Sequence, residues 1–383
     1  MRSRAWVEID IEAIVDNMRT VRQRVGPHAG IVAMVKAGCY GLRSPDVIEA
    51  IEAEEPWGYG VAAVAEGIEL RAGRGGARPV ERPILVVTPI PPGAEREAAA
   101  ARLTPCISDL AGLDRWAAAA ERSDVPLDFH VEIDTGMGRA GFDWREVQAW
   151  GPQVRARMGP RLRWTGVMTH FHSADSPDPA PTALQWERFQ DALSQLPISR
   201  DDLVVHACNS AAALRWPRFA ADAVRPGIFL YGGPPAPDGR QDPAPAPRAV
   251  VSVRSRLALV RDVPPGSTVG YGATHAARGW ERWGTLAIGY GDGLPRVLGN
   301  RGYALVRGQR VPILGRISMD ITVVDLSSVP DAKVGDVATL IGVDGDSEIT
   351  VDEVARQAGT ISYEVLTGLG PRLPRVTVGS MGH

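Results

Sequence analysis

The amino-acid sequence predicts an α/β protein in which a (β/α)8 barrel is followed by a mostly antiparallel β domain. First, strand-like and helix-like segments alternate strictly up to residue 225 and give eight strands, the number that closes such a barrel. Second, the segments after residue 247 are short, β-rich and separated by Gly, Pro and Asp turns. A doubly wound open sheet is the main alternative. The absence of a glycine-rich nucleotide-binding turn after the first strand counts against it.

The N-terminal elements begin this pattern. Residues 6–9 alternate like a short strand, and apolar residues recur at helical spacing between residues 11 and 25. Asp10 stands at the N-cap position of that helix, and a Gly-Pro pair ends it. The apolar run 31–35 then predicts a buried parallel strand that leads directly into a lysine.

The remaining barrel elements follow from the alternation of apolar runs and amphipathic stretches. The predicted strands are residues 59–62, 83–87, 103–107, 127–133, 162–168, 203–207 and 223–225. The predicted helices are residues 45–55, 65–72, 109–122, 144–158, 182–196 and 210–216. Polar residues gather where the strands end, at Lys36, Arg139, His170, Asn209 and Arg225. Because the carboxyl ends of barrel strands share one mouth, we expect these side chains to converge.

The domain boundaries are expected near residues 10 and 240. Residues 232–247 contain six prolines and few apolar residues, which is typical of a long connection. We therefore assign residues 11–240 to the barrel and 241–383 to the β domain, and expect the strand within 1–10 to join the β domain. The predicted elements of the β domain are strands at 250–260, 285–290, 303–306, 311–314, 320–326 and 337–341, and one helix at 351–358.

The composition excludes several classes of function. The chain has 383 residues, is 44% hydrophobic and 23% charged, and has a net charge of -3, which gives no basis for binding nucleic acid or an anionic membrane. Cys39, Cys106 and Cys208 are odd in number and lack metal-ligand spacing, so we expect reduced thiols, a cytoplasmic protein and no metal. The N-terminus lacks the apolar core of a signal peptide, and no run approaches membrane-spanning length.

Lys36 stands out because the chain almost always uses Arg for positive charge. Of 42 Lys and Arg residues only Lys36 and Lys333 are lysines. An arginine cannot supply a neutral amine, whereas a buried lysine can deprotonate and form a Schiff base. The alternative is a strand-end lysine whose ammonium reaches solvent, and the strand alone does not decide between them. Lys333, in a polar turn, is expected to be a solvated charge.

Nine segments, taken together, resemble the alanine racemase family of pyridoxal-phosphate enzymes, which combine a fold-type III barrel with a β domain. They occur in the family's order and span nearly the whole chain. The segments are AMVKAGCYG (33–41), VEIDTGMGRAGF (131–142), MTHFHSAD (168–175), HACNSAAAL (206–214), VRPGIFLYG (224–232), VGYGATH (269–275), AIGYGDGLPR (287–296), GRISMD (315–320) and ISYEV (361–365).

The resemblance implies a racemase that interconverts L- and D-alanine with two bases. Lys36 is implied to carry pyridoxal phosphate as a Schiff base and to act on one face of the substrate α-carbon. Tyr271 matches the second base, on the opposite face, and is contributed by the partner subunit of a homodimer with shared active sites. A phenol titrates at about 10, so that role requires cations or hydrogen bonds that lower its pKa.

Arg225 matches the arginine that faces the nitrogen of the cofactor ring. Because a guanidinium only donates hydrogen bonds, it keeps that nitrogen unprotonated and the ring a weaker electron sink, which disfavours decarboxylation and transamination. His170 resembles the histidine that links Arg225 to the tyrosine base. His172 and His206 match no family role, and we expect them to be packing residues.

Further residues match family positions around the cofactor and the substrate. The positions implied for the cofactor, beside Lys36, Arg225 and His170, are Tyr40, Asn209, Ser210, Gly227, Ile228 and Tyr363. The positions implied for the substrate are Arg139, which grips its carboxylate, and Met319 and Tyr290, both from the partner subunit. Ile361 and Tyr363 resemble a narrow corridor that selects small amino acids.

The chain departs from the family pattern at four positions. Glu132 stands where members commonly have a lysine modified to a carbamate, so we expect it to supply the negative charge directly, without carbamylation. Gly38 replaces Asn or Asp, Leu42 replaces a histidine, and Ser318 replaces a frequent cysteine. These three changes concern the phosphate side and the range of substrates.

Three alternatives remain beside alanine racemisation. A racemase of serine, or of several small amino acids, fits the same motifs. A fold-type III decarboxylase shares the two domains but conflicts with Arg225 and the tyrosine motif. A cofactor-carrier protein would resemble only the barrel and leave Tyr271 and its domain unexplained.

Overall fold

The computed structural model describes residues 3–73, 78–236 and 244–379. The boundary predicted between residues 240 and 241 lies outside these ranges. The first half of the described chain contains β1 (Ala5–Asp10), α1 (Ile11–Val25), β2 (Gly30–Met34), α2 (Lys36–Tyr40), α3 (Pro45–Ala53), β3 (Gly58–Val61), α4 (Val64–Ala72), β4 (Ile84–Val86), α5 (Glu95–Ala100), β5 (Thr104–Ile107), α6 (Leu110–Ala120), β6 (Leu127–Asp134), β7 (Phe142–Asp143), α7 (Val147–Ala156), β8 (Leu162–Met168), α8 (Ala180–Ser194), β9 (Val204–His206), α9 (Ser210–Arg215) and β10 (Ala223–Val224). The second half contains β11 (Val251–Val263), β12 (Thr268–Val269), β13 (His275–Ala276), β14 (Glu281–Leu286), β15 (Tyr303–Val306), β16 (Gln309–Leu314), β17 (Thr322–Asp325), β18 (Val337–Asp344), β19 (Ser347–Ile349), α10 (Val351–Ala358), α11 (Ser362–Thr367) and β20 (Arg375–Val378).

The first sheet is a closed parallel barrel, which confirms the predicted fold class. Its strands follow the order β5-β4-β3-β2-β10-β9-β8-β6, and β5 also pairs with β6, where Cys106 lies opposite His130. The short β7 pairs in parallel with β6 as a ninth strand of this sheet. Because all barrel strands are parallel, their carboxyl ends lie at one mouth.

The second sheet is mostly antiparallel and includes the N-terminal strand. Its order is β19-β18-β15-β16-β17-β14-β11-β1-β20, with a further pairing between β18 and β11. Val7 of β1 lies opposite Val253 of β11 on one side and Arg375 of β20 on the other. The strand that begins the chain therefore lies between two strands from its second half.

The two ends and the buried face of helix α1 follow from its local sequence. The carboxylate of Asp10 accepts a hydrogen bond from the Ala13 N–H at 2.9 Å, as an N-cap residue does. Gly26 ends the helix with φ 85°, a conformation that glycine adopts without strain. The buried face between these ends includes Ile14 and Met18, both fully enclosed in the main hydrophobic core.

One predicted strand was wrong, and several short elements were not predicted. The strand predicted at 285–290 is instead β14, which ends at Leu286, because the Asp292 carboxylate accepts the Gly289 N–H and turns residues Tyr290–Asp292 into a 3-10 helix. Two short helices, α5 and α11, were not predicted. Each has six residues, too few to show helical periodicity.

Two further findings concern membranes and metals. No helix in the described ranges is long and apolar enough to cross a membrane. Over the same residues, no three His, Cys, Asp or Glu side chains come together as a metal ion would require.

Gly41 joins the barrel mouth to the β domain. Its φ is +88°, and a Cβ there would lie 2.2 Å from the backbone oxygen of Leu366 in α11. Its own carbonyl accepts a hydrogen bond from Arg375 Nη2 at 2.8 Å. The backbone that follows Lys36 is therefore fixed from the second domain.

We expect the substitution Gly41→Ala to destabilise the protein by roughly 3 kcal/mol or more, because both the left-handed backbone and the contact with a backbone oxygen oppose a side chain. The measurement is urea unfolding of the wild type and the variant. Gly93→Ala is the matched control, since Gly93 has φ +100° with nothing within 4 Å of its added Cβ. Equal losses for the two variants would show that the contact with Leu366 does not matter.

Candidate active site

Lys36 begins α2, a short left-handed turn that follows β2, the first barrel strand along the chain. The next residues, Ala37, Gly38 and Cys39, have φ values of 53°, 63° and 55°. Such a conformation costs about 1–2 kcal/mol per non-glycine residue, so surrounding contacts must impose it. Glycine, asparagine and aspartate tolerate it best, which explains why Gly38 can stand where the family has Asn or Asp.

Glu66, at the start of α4, holds this turn. Its Oε1 accepts the Ala37 N–H at 2.5 Å, and its Oε2 accepts the N–H groups of Ala62 and Ala63, each at 3.0 Å. One carboxylate thus joins the backbone after Lys36 to the end of β3. Sequence reasoning missed this residue, because an N-terminal helix glutamate carries no distinguishing signal.

The Lys36 ammonium is electrostatically disfavoured. Burial lowers the pKa of Lys36, and the positive charges of Arg139 and Arg225 lower it further, whereas Glu66 opposes the shift. The free amine is therefore more accessible than in an ordinary lysine. This supports the Schiff-base interpretation of Lys36 over the solvated one.

Arg225 is buried at the barrel mouth and donates five hydrogen bonds. Its Nη1 reaches His206 Nδ1 and the His206 carbonyl, both at 2.9 Å. Its Nη2 reaches the carbonyls of Thr169 at 2.9 Å and Ala207 at 3.1 Å, and His170 Nδ1 at 3.2 Å. Among the described residues no acceptor contacts Nε, so one N–H donor remains available for a ligand.

His206 corrects a sequence expectation. It does not serve packing alone, because it accepts a hydrogen bond from Arg225 and is fully buried. Its position at the end of β9, one of the barrel strands, was the signal that could have identified it. His172 is exposed, and its Nδ1 lies 2.6 Å from the Ser173 hydroxyl; the packing role expected for it is also wrong.

The buried imidazoles are neutral. Burial, followed by the charge of Arg225, lowers the pKa of His170 to about 3, and the same causes lower that of His206 well below its usual value. Because Arg225 can only donate, each ring accepts at Nδ1 and carries its proton on Nε2. His170 therefore presents an N–H donor on its other side.

Several of the positions that the family resemblance implies for the cofactor come together near Gly227. Ser210 Oγ accepts the Gly227 N–H at 2.8 Å, and a Cβ at Gly227 would lie 2.0 Å from the Tyr40 hydroxyl. The ring of Tyr363 lies 6.0 Å from that of Tyr40. Burial raises the pKa of both phenols, that of Tyr363 to about 12, so both hydroxyls stay protonated and can donate.

Two further positions near this group have defined backbone roles. Asn209 is the N-cap of α9, and its side chain accepts the Ala212 N–H at 3.0 Å. Ile228 begins the buried 3-10 helix Ile228–Tyr231 directly after Gly227. No hydrogen bond of the described residues commits the Ile228 N–H, which leaves it free for an anion.

Glu132 and Arg139 interact at a distance. The Glu132 carboxylate is buried and accepts a hydrogen bond from Ser108 Oγ at 3.1 Å, whereas Arg139 is exposed. Burial raises the pKa of Glu132, against the opposing effects of Ser108, Arg225 and Arg139. No ion pair within 4 Å joins the two side chains in the described structure, so their coupling is through the field of the site.

The side chains expected from the partner subunit are exposed on the β domain. Tyr271 is 68% exposed, Met319 51% and Tyr290 40%. Tyr290 and Met319 are adjacent, because the Tyr290 N–H donates to Ser318 O at 3.0 Å and the Gly291 N–H to Met319 O at 2.9 Å. Across the described ranges, no hydrogen bond or ion pair joins these three side chains to the barrel mouth.

Asp292 anchors the segment that carries Tyr290. The carboxylate is fully buried and accepts hydrogen bonds from Arg4 Nη2 at 2.7 Å and Arg372 Nε at 2.9 Å. Arg372 Nη2 also donates to Asp320 Oδ1 at 2.6 Å, which fixes the loop that carries Asp320. Sequence reasoning could not identify Asp292, because its partners lie 80 and 288 residues away along the chain.

The structure combines a closed (β/α)8 barrel with an antiparallel β domain. A lysine of lowered pKa and a buried arginine lie at the barrel mouth, which is typical of a two-domain barrel enzyme that forms a Schiff base through its lysine. The particular family follows from comparison with known proteins. Residues 9–235 match the family model of the alanine racemase N-terminal domain, and residues 250–377 match that of the C-terminal domain. The chain belongs to the alanine racemase family.

Individual relatives agree over the full length. An alanine racemase of Synechocystis sp. is 38% identical, covering 99% of this chain and 100% of its own. The crystal structure of alanine racemase from Bacillus anthracis with bound L-Ala-P superposes with a TM-score of 0.89 at 32% identity, covering 99% and 96% of the two chains. That from Bartonella henselae, with covalently bound pyridoxal phosphate, gives 0.87 at 29% identity, covering 98% and 100%.

We expect Glu132→Gln to gain stability relative to the wild type as the pH rises from about 4 to about 8. A folded-state pKa above the unfolded value means that folding favours the protonated acid, and this contribution is lost as the pH rises through the folded pKa. Gln is neutral throughout and loses nothing. The measurement is the difference in unfolding free energy of the cofactor-free proteins across that pH range.

The exposed substitution Glu121→Gln serves as the control and should give a difference that does not change with pH. If Glu132→Gln instead loses stability relative to the wild type as the pH rises, Arg225 and Arg139 stabilise the carboxylate more strongly than burial destabilises it.

Intact-mass measurement of the wild type should show no carbon dioxide adduct, since Glu132 has no amine to take it up.

Proposed function

We propose that the chain is a pyridoxal-phosphate-dependent racemase that interconverts L- and D-alanine. The main supporting observation is that Lys36, with a lowered pKa, and Arg225, with an available Nε–H, lie at the same barrel mouth in a chain of the alanine racemase family. The first group suits an aldehyde and the second suits a ring nitrogen that must stay unprotonated.

The residues at the mouth fit this cofactor. Lys36 would hold its aldehyde carbon and Arg225 Nε would donate to its ring nitrogen. The hydroxyls of Tyr40, Ser210 and Tyr363, with the N–H group of Ile228, would hold its phosphate without any lysine. The Gly227 N–H would orient the Ser210 hydroxyl for this contact. The absence of a side chain on Gly227 leaves room for the Tyr40 hydroxyl to lie beside that backbone. Asn209 supports this side by capping α9.

The cofactor, when bound, supplies a conjugated ring that stabilises negative charge on the substrate α-carbon. The amine of Lys36, whose pKa is lowered, accepts or returns a proton on one face of that carbon. The phenol of Tyr271 from a second copy of the chain does so on the other face. His170, with its proton on Nε2, is oriented by Arg225 and can donate to that phenol oxygen, which favours the phenolate.

Arg225 and Arg139 determine which reaction and which substrate are favoured. Arg225 does not give up its proton, so the ring nitrogen stays unprotonated, which disfavours the decarboxylase alternative. Arg139 has an exposed guanidinium suited to a planar carboxylate, and Glu132 lies behind it as a counter-charge. No observation favours serine over alanine.

A homodimer with shared sites follows from the same proposal. Tyr271, Tyr290 and Met319 expose large side chains on the β domain, and within one copy no hydrogen bond or ion pair of the described residues joins them to the mouth. A twofold arrangement would bring them to the partner's Lys36.

We also infer a cytoplasmic location, because Cys39, Cys106 and Cys208 are all free and buried.

We expect the purified protein with pyridoxal phosphate to convert L-alanine or D-alanine into the racemic mixture. Separation on a chiral column should show equal enantiomers and neither amine nor keto acid. Lys36→Ala should lower the rate by about 10⁴-fold or more, because it removes both the cofactor attachment and one base. Faster loss of optical purity with serine would select the broader racemase, and formation of amine with carbon dioxide would select the decarboxylase.

We expect subunit mixing to test where Tyr271 acts. Lys36→Ala and Tyr271→Phe should each be inactive alone. A mixed dimer has one site with both wild-type groups, so statistical mixing should restore about a quarter of the wild-type activity. Mixing Lys36→Ala with Lys36→Ala subunits bearing a different tag is the control and should restore none. No recovery in the first mixture would place both bases in one chain.

A further inference from the structure

A second buried hydrogen bond extends from Arg225 beyond the groups used above. His206 Nε2 lies 2.8 Å from His130 Nδ1, and the two rings are 5.0 Å apart at 59°. His130 is 1% exposed and His206 is fully buried. The order Arg225, His206, His130 therefore runs from the barrel mouth into the barrel interior, away from any substrate.

The direction of every proton along this row follows from Arg225. The guanidinium can only donate, so His206 accepts at Nδ1 and carries its proton on Nε2. That N–H in turn requires an acceptor, which His130 Nδ1 supplies. Burial, followed by the charge of Arg225, lowers the pKa of His130 to about 3, so this ring is neutral and has the lone pair that the bond requires.

The barrel leaves space for the His130 ring at one specific position. His130 in β6 lies opposite Gly166 in β8, and a Cβ at Gly166 would lie 2.5 Å from three atoms of the imidazole. Any other residue at 166 would therefore displace the ring. The ring of Trp57 lies 6.2 Å away on another side.

We propose that His130 is a positioning residue for the reaction, acting through His206 on Arg225. By accepting the His206 Nε2–H, it satisfies a buried donor and so reinforces the preference that Arg225 sets for the tautomer whose Nδ1 faces the guanidinium. Without that acceptor the Nε2–H is buried and unsatisfied, which offsets the preference set by Arg225 and lets the proton move to Nδ1. An N–H would then face Arg225 Nη1, and the guanidinium would lose one of its five acceptors. The guanidinium, and the Nε–H that would meet the ring nitrogen, then lose their fixed orientation.

The inference deepens the proposed function. Its kinetic test, the rate of alanine racemisation, rests on that function, but its NMR test does not. Selective ¹⁵N labelling of the seven histidines allows the tautomer of each buried ring to be read by NMR in the cofactor-free protein. We expect both His130 and His206 of the wild type to be neutral with the proton on Nε2. A His206 protonated on Nδ1 in the wild type would overturn the proposal without any variant.

Two substitutions distinguish the hydrogen-bond acceptor of His130 from the packing of its ring. His130→Phe keeps a ring and removes the acceptor, whereas His130→Asn places an amide oxygen near the former Nδ1. We expect His206 to lose its single Nε2–H tautomer in His130→Phe and to keep it in His130→Asn. We also expect kcat/KM for alanine to fall about tenfold in His130→Phe, the effect of one net hydrogen bond, and to recover to within about threefold of the wild type in His130→Asn.

Gly166→Ala and His28→Asn complete the set. Gly166→Ala displaces the ring without deleting it and should reproduce the NMR change of His130→Phe. His28 is exposed, so His28→Asn is the matched control and should leave tautomers and rate unchanged. Equal rate losses in His130→Phe and His130→Asn, in step with equal losses in melting temperature, would show a packing role and overturn the inference. If the wild type fails to racemise alanine, the proposed function falls, while the NMR test still decides the role of His130.

Discussion

The burial of the Arg225 guanidinium is the interaction on which the rest of the site depends. Removing a charge from water costs several kcal/mol unless hydrogen bonds replace the lost hydration. No carboxylate among the described residues forms an ion pair with Arg225; three carbonyls and two imidazoles satisfy it instead. These acceptors stand at the ends of β8 and β9, and Arg225 itself follows β10. The charge can therefore be buried only when those three strands are correctly aligned, so closing the barrel also builds the site.

Burial is the main cause of the lowered pKa values of the neighbours of Arg225, and the same charge adds to it. It lowers the pKa of Lys36 together with burial and Arg139, and it helps to keep His130, His170 and His206 neutral. A neutral imidazole accepts from a guanidinium, and a neutral amine attacks an aldehyde. One fixed positive charge in a dry barrel therefore provides a general base and an oriented hydrogen-bond network together.

The sequence predicts the barrel, the β domain and most of the residues at the mouth, because strand-end position and local motif carry that information. The family resemblance supplied roles for Lys36 and Arg225 that their spacing alone left open. What it could not supply depends on contacts between distant segments. Glu66 binds the backbone of Ala37 from another helix, and His206 faces Arg225 only after two strands pair. Short helices such as α5 also escape detection, since six residues do not complete two turns.

The position of β1 has a consequence for how the molecule is made. This strand is synthesised before the barrel, yet its neighbour β11 begins at Val251 and its other neighbour β20 at Arg375. At about 5–20 residues per second, the first strand waits roughly 10–50 seconds for one partner and longer for the other. During synthesis the barrel can form behind an unpaired apolar ribbon that would readily associate with other nascent chains. Strand β20 completes that sheet, so the synthesis of β20, and not barrel closure, ends the period of exposure.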